Sequence, residues 1–430
     1  MNRFVADPDW GWWIILYFYV GGIAAGSYFL ATLIELWGQD ADRPLARLGY
    51  RIAFPLISLC GVFLIVDLER PERFWHMMFQ SEVVDAARAE GWPMAGWGTM
   101  LHAPLLKWWS PMSIGAWALA LFGAWSFLSF IASFSTDGRL TRLLGPNLFG
   151  CVFHIIGSCL AFFVASYTGV LVSATNQPIW SATEWIAPLF LTSAASTAIS
   201  VFLLLGRSIA PEARARLEKA DLWALGLELF LFLSFLASLG SLLPLALRTW
   251  QGSVLIYGVL VVGLLLPLFL HLGFRHAGAG RAMAAALLAL VGGFLLRFGM
   301  VAIGPALLAV TPDAWEKALA VPLIQSWEGM ALLVVTVVLA LVIPFLLQRQ
   351  WSLSRGRTAL AGAVSLLVIG VVLFNVMQSN GMHDVLFASR ILPTSPEAGR
   401  PIDGGFGASL FNHPEELKVP HSKFTKGGEP

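Results

Sequence analysis

Apolar residues fall in long blocks along this chain, separated by short segments of charge, proline and glycine. Ten blocks reach the roughly 20 residues that a helix needs to cross a bilayer. They run from about Trp12 to Trp37, Tyr50 to Val66, Pro111 to Phe134, Leu148 to Ala174, Trp185 to Leu205, Leu222 to Leu243, Ser253 to Leu272, Ala282 to Ala306, Leu323 to Leu347 and Ala359 to Gln378. The pattern predicts an all-α, polytopic membrane protein. The first run is too long for the apolar core of a signal peptide and follows acidic Asp7 and Asp9, so it is expected to remain as a membrane helix.

Composition agrees with the pattern. Of 430 residues, 57% are hydrophobic and 12% charged, with mean hydropathy +0.73, which excludes an ordinary soluble fold. Twenty-seven basic residues against 26 acidic ones give +1, leaving no basic field for nucleic acid. Cys60, Cys151 and Cys159 lie inside apolar runs without the clustering of a zinc or iron–sulfur site, and read as packing residues. Tryptophans gather at the ends of the runs, as an interfacial belt requires.

Alternate loops differ sharply in basic residues. One set carries Arg43, Arg47, Arg51; Arg139, Arg142; Arg207, Arg214, Arg216, Lys219; Arg275, Arg281; and Arg349, Arg355, Arg357, whereas the opposite short segments carry Arg3, Arg248 and Lys317. The first set is therefore expected in the cytoplasm, and both termini outward, which in a bacterium is the periplasm. The outward segment Asp67 to Ser110 holds Trp75, Trp92, Trp97, Trp108 and Trp109 among mixed charges. It suits either a docking surface for another protein or a stretch lying on the lipid interface. The last 45 or so residues, rich in Pro, Gly, Ser and charge, read as an extramembrane tail.

Ionisable groups within spans are costly and mark candidate sites. By span direction, Asp67, Glu69, Arg297 and Glu328 fall in the outward half, and Glu228 and His154 in the inward half. The depth difference argues against direct pairing of Glu228 with Arg297, and structural and proton-path roles stay open for both. Tyr17 and Tyr19 precede a small-residue stretch that lets another helix approach closely. Tyr167 near the outward end of the fourth span has a belt residue as its plainer reading. His154 and His271, both on the inward side, are the histidines within spans, leaving room for one haem at most. No phosphate loop, HExxH pair or GxSxG elbow occurs.

Four stretches in order carry a resemblance: GGIAAGSYFLA from Gly21, RIAFPLISLCGVFLIVDLERPERFWHM from Arg51, SPMSIGAWAL from Ser110, and SYTGVLVSATNQPIW from Ser166, with a weaker fifth, GGFLLR, ending at Arg297. The chain resembles the NrfD/polysulfide-reductase membrane subunits, over Asp9 to about Ala306. The resemblance implies an eight-helix core in two four-helix bundles (residues 1–306), followed here by two extra helices (307–380) and the tail (381–430). It also implies a menaquinone or ubiquinone site near the outward face, with no haem or iron–sulfur cluster in this chain. Electrons would pass to a four-cluster, ferredoxin-like iron–sulfur subunit, and through it to a molybdopterin or multihaem subunit, at a bacterial inner membrane.

Tyr167 matches the family tyrosine implicated in quinone hydrogen bonding, and Asp67 and Glu69 match the acidic end of its second helix. Similarity further implies that Glu228, Arg297 and His154 line an inward proton path. One departure stands out: Tyr17 occupies the position of a first-helix histidine in the polysulfide-reductase branch. A tyrosine titrates near pH ~10 and is a poor relay at neutral pH, which directs the proton to Asp67 or Glu69. A secondary transporter using Glu228, Arg297 and Glu328, or a non-catalytic anchor, are the competing readings.

Overall fold

The computed structural model describes residues 10–39, 42–68, 70–78, 110–134, 138–145, 147–175, 177–206, 210–240, 242–273 and 279–310. The ninth and tenth spans, the tail, Glu69, Glu328 and most of the segment between the second and third spans lie outside them. Among the described residues there is no strand, and eight helices are long and apolar enough to cross a membrane. They are α1 (Trp12–Trp37), α2 (Arg43–Asp67), α3 (Pro111–Ala132), α4 (Leu148–Ser173), α5 (Ile186–Leu205), α6 (Pro211–Ser238), α7 (Trp250–Leu272) and α8 (Ala279–Val310).

Local chemistry sets where the helices begin. Pro111 opens α3 with Ser110 accepting from the Ser113 amide (3.4 Å). Asn147 caps α4 through the Gly150 amide (2.9 Å), while its Nδ2 donates to the carbonyls of Arg142 and Leu143. Thr249 caps the start of α7 (3.0 Å to the Gly252 amide). Gly240, at φ 49°, takes the left-handed conformation just after α6, where a side chain would be strained.

Within α7 the residues Val254–Leu265 are wound as a π-helix. Such stretches are rare, and their wider winding changes the face on which the following residues fall. Here the residue so placed is His271, near the end of α7.

Helices α1–α4 and α5–α8 form two groups that meet where α1 and α4 pack against α5. The contact is close because α1 presents glycine. A Cβ on Gly26 would strike the Ala194 carbonyl and sit 2.8 Å from the Ala198 methyl of α5. Similarly, a Cβ on Gly49 of α2 would lie 2.6 Å from the Phe202 ring tip. Gly26→Val is therefore expected to cost at least about 1–3 kcal/mol, the usual penalty of overpacking. A lowered midpoint of thermal unfolding in detergent is the measurement; an unchanged midpoint would contradict this seam.

On the end expected inward, Arg216 of α6 donates through Nη2 to both carboxylate oxygens of Asp42 (2.5 and 2.7 Å), tying the α1–α2 turn to the second group. On the opposite end, Trp180 in the α4–α5 connection donates Nε1 to the Met300 carbonyl (2.5 Å) and stacks on Trp10. Its neighbour Ile179 holds φ 71°, a strained position for a β-branched residue, fixed here by complete burial.

Candidate functional site

Two buried polar assemblies stand out, one in each group of helices. The first centres on Tyr17 of α1 and Tyr167 of α4, only 2% and 5% exposed. Gly115 makes room for Tyr167, since a Cβ there would overlap the phenol ring. The Tyr167 hydroxyl donates to the Pro111 carbonyl at the start of α3 (2.6 Å), and its ring lies parallel to Phe163. Its oxygen lone pairs can still accept a hydrogen bond from another group. Tyr17 stands at the same end of this group of helices, where α1 packs against α4. Its backbone carbonyl accepts from the Cys60 thiol of α2 (3.7 Å). At the same end of α3, the Ser113 Oγ is fully buried and has no hydrogen-bond partner among the described residues.

Asp67 is not part of this pair. The Tyr17–Cys60 contact fixes the antiparallel register of α1 and α2, so Asp67, seven residues beyond Cys60, lies about 10 Å further toward the outward end. It is half-buried at the lip. The lip continues into the 3₁₀ turn Pro71–Met77, fastened to α3 by Trp117 Nε1 donating to the Met78 carbonyl (2.9 Å).

The second assembly fills the centre of α5, α6 and α8. Arg297 is 1% exposed; its Nη1 donates to Ser193 Oγ and to the Gly293 carbonyl (3.3 Å), and its Nη2 to the Phe190 carbonyl (2.9 Å), with the guanidinium over the Phe190 ring. Gly22 of α1 leaves space for it, because a Cβ there would stand 3.3 Å from Nη2. Two of the sequence motifs, GGIAAG and GGFLLR, thus meet at one guanidinium. Glu228 accepts from Ser196 Oγ (2.6 Å) and lies within hydrogen-bond reach of Ser193. Ser193 therefore stands between the acid and the base, and Arg297 sits about one turn further outward than Glu228.

Below Glu228, toward the inward end, Asp221 is completely buried and pairs with His271 Nε2 (2.9 Å). His154 belongs to the other group of helices. Its Nε2 faces the Leu144 carbonyl (3.0 Å), so it is the donor there, and Nδ1 of the neutral ring accepts from Tyr50 (3.0 Å). The structure thus joins Glu228 to Arg297 and places His154 elsewhere. Among the described residues, no group of three His, Cys, Asp or Glu side chains converges on a point that would hold a metal ion.

Sequence reasoning missed Asp221, Ser113 and the Ser193/Ser196 face. Asp221 fell one residue outside the span predicted from Leu222. Its seven-residue spacing from Glu228, which puts both on one helix face, was the available signal.

Eight apolar helices with buried tyrosines at one end and a buried acid–base column define a multi-pass helical membrane protein. The chain belongs to the NrfD family: the family model Polysulphide reductase, NrfD, matches residues 5–309. It is 27% identical over 309 residues to a polysulfide reductase chain of Wolinella succinogenes, an alignment covering 67% of this protein and 92% of that one. Protein NrfD of Escherichia coli is 26% identical over 315 residues with the same coverage. A selenate reductase subunit of Mesobacillus selenatarsenatis is 32% identical over 78 residues, which span only 18% of that relative's length.

Proposed function

We propose that this chain is the quinone-reactive membrane subunit of a respiratory oxidoreductase, exchanging electrons between a menaquinone or ubiquinone and an iron–sulfur partner at the outward end. The observation that carries the reading is the Tyr17–Tyr167 pair, two buried phenols on adjoining helices at one end of the bundle.

That donor set fits a quinone. Its two-electron chemistry needs hydrogen-bond partners at both ring oxygens and a nearby group to carry the protons. The Tyr167 oxygen can accept a quinol's hydroxyl hydrogen while its own proton stays on the phenol oxygen and is donated to the Pro111 carbonyl, so this side chain orients without needing to ionise. Tyr17 supplies the second hydroxyl. Asp67, two turns further out and half-buried, is placed to exchange protons with the outward solution. The family relatives named as reductase subunits, which imply partner chains, support the assembly with an iron–sulfur protein and, through it, a molybdopterin or multihaem subunit.

The basic loops Arg43–Arg51, Arg139–Arg142 and Arg214–Lys219 all lie at the end opposite the tyrosine pair, which supports a bacterial inner-membrane location with the tyrosines toward the periplasm. Purification in mild detergent tests the reading. An iron–sulfur protein is expected to copurify in fixed ratio, with clusters that change redox state when a quinol analogue is added. Recovery of the chain alone, free of iron, would count against it.

A further inference from the structure

The electron-transfer reading leaves Asp221, His271 and Ser200 unused, although all three are buried polar groups in a part of the molecule built for apolar contact. Asp221 Oδ2 meets His271 Nε2 at 2.9 Å, while Asp221 Oδ1 has no partner among the described residues. Ser200 is completely buried and its Oγ likewise has none. An unsatisfied buried carboxylate oxygen costs more than a structural ion pair needs to incur, since a pair kept for packing would have both oxygens bonded.

The residues that carry the two orphan atoms lie at neighbouring heights on adjoining helices. On α5, Ser193, Ser196 and Ser200 recur at the spacing of a single helix face. The Ser196–Glu228 contact sets the antiparallel register of α5 and α6, which puts Ser200 opposite position 224, midway between Asp221 and Glu228. Those two acids are about 10 Å apart along α6.

We propose that Asp221 and His271 form a proton-exchange site at the inward end of the second helix group, and that it communicates with Glu228 through the Ser200 hydroxyl. Protonated His271 gives its Nε2 proton to Asp221 and becomes neutral. Asp221, now an acid carrying the proton on Oδ2, turns about its Cβ–Cγ bond so that the O–H faces Ser200, and passes that proton to the Ser200 oxygen by way of water held between these polar atoms, as the hydroxyl's own hydrogen moves on toward Glu228. Asp221 and Ser200 return to their starting states, His271 takes up a fresh proton from the inward side, and Glu228 ends one proton richer. Beyond it, Ser196 and Ser193 lead to the buried guanidinium of Arg297.

The charged and titratable groups around the pair are few. Among the described residues, on α6 they are Glu218, Glu228 and Arg214, which the seven-residue spacing puts on the Asp221 face, with Lys219 exposed; on α8, Arg281 pairs with Glu218 (2.5 Å); α7 supplies His271 itself, and α5 has no titratable side chain. The π-wound stretch of α7 ends six residues before His271, so its winding governs whether the imidazole faces Asp221.

This inference deepens the quinone reading, which would supply the driving reaction, and the test separates the two. The complex is purified with its partners and reconstituted in vesicles holding a pH-sensitive dye, then driven by a quinol analogue and an artificial acceptor. Asp221→Asn and Ser200→Ala are expected to oxidise the quinol at near the parental rate when the vesicles are uncoupled. Proton uptake from the inward side should fall about tenfold or more in Asp221→Asn and severalfold in Ser200→Ala, with Asp221→Glu restoring part of it. A second readout needs no turnover: a hydrophobic carbodiimide, which labels protonated carboxyls in apolar sites, should modify Asp221 in a pH-dependent way, located by peptide mass mapping. Unaltered proton uptake in Asp221→Asn, or an Asp221 unlabelled at every pH, overturns the proposal. If the parental complex oxidises no quinol, the quinone reading fails and the carbodiimide result alone decides this one.

Discussion

Tyr167→Phe is expected to lower quinol-dependent electron transfer by about tenfold to a hundredfold while the chain still folds and assembles. The substitution keeps the ring against Gly115 and Phe163 and removes only the hydroxyl. The structural loss is one hydrogen bond to the Pro111 carbonyl, worth about 1 kcal/mol. What else goes is the acceptor that a quinol hydroxyl would meet in a water-poor site, where leaving a polar partner unmatched costs most. Gly115→Ala should reach the same end by another route, because its Cβ would occupy the space of the phenol ring and displace the hydroxyl. By contrast Asp67→Asn, about 10 Å outward, should slow turnover and leave quinone affinity unchanged. Unchanged turnover in Tyr167→Phe, with assembly intact, would instead favour a membrane anchor without quinone chemistry.

The largest effect on folding is expected from Arg297→Met. The guanidinium is buried among α1, α5 and α8, with Ser193 linking it to Glu228. Removing it leaves Glu228 as a buried acid without a counter-charge, a change that costs about 3–5 kcal/mol when one member of a buried pair is lost. It also empties part of the space that Gly22 leaves for the guanidinium. Glu228→Gln in the Arg297→Met background should recover part of the loss, so the double substitution is less harmful than the two singles summed. Thermal unfolding of the four proteins in detergent measures this; additive losses would mean that acid and base do not interact across Ser193.

Hydropathy located all eight described spans, because the requirement for lipid-compatible length leaves few alternatives. It located helix ends less well. α1 matched its run from Trp12 to Trp37, but α2 begins at Arg43 rather than Tyr50, and α6 at Pro211 rather than Leu222. Apolar patterning marks where lipid begins, whereas backbone hydrogen bonding continues into the charged turns Arg43–Arg51 and Glu212–Asp221. That difference hid Asp221, which looked like a loop residue and is a core one. In the same way, the depth argument put Arg297 in the outward half and Glu228 in the inward half, whereas the serines that carry both on one face of α5, about a turn apart, could be seen only once α5 was packed between their helices. Tyr17 and Tyr167 were legible as candidates from their motifs; that Tyr167 donates to a backbone carbonyl, made possible by Gly115, depends on how α3 crosses α4. The antiparallel register of α1 and α2, which sets Asp67 apart from the tyrosines, was likewise beyond reach of the pattern alone.

Photocrosslinking with an azido-quinone on the purified complex tests the central claim most directly. The account predicts adducts on the peptides that contain Tyr17 and Tyr167, suppressed by excess unlabelled quinone and weakened in Tyr167→Phe. Adducts confined to α5–α8, or labelling that excess quinone does not displace, would contradict it.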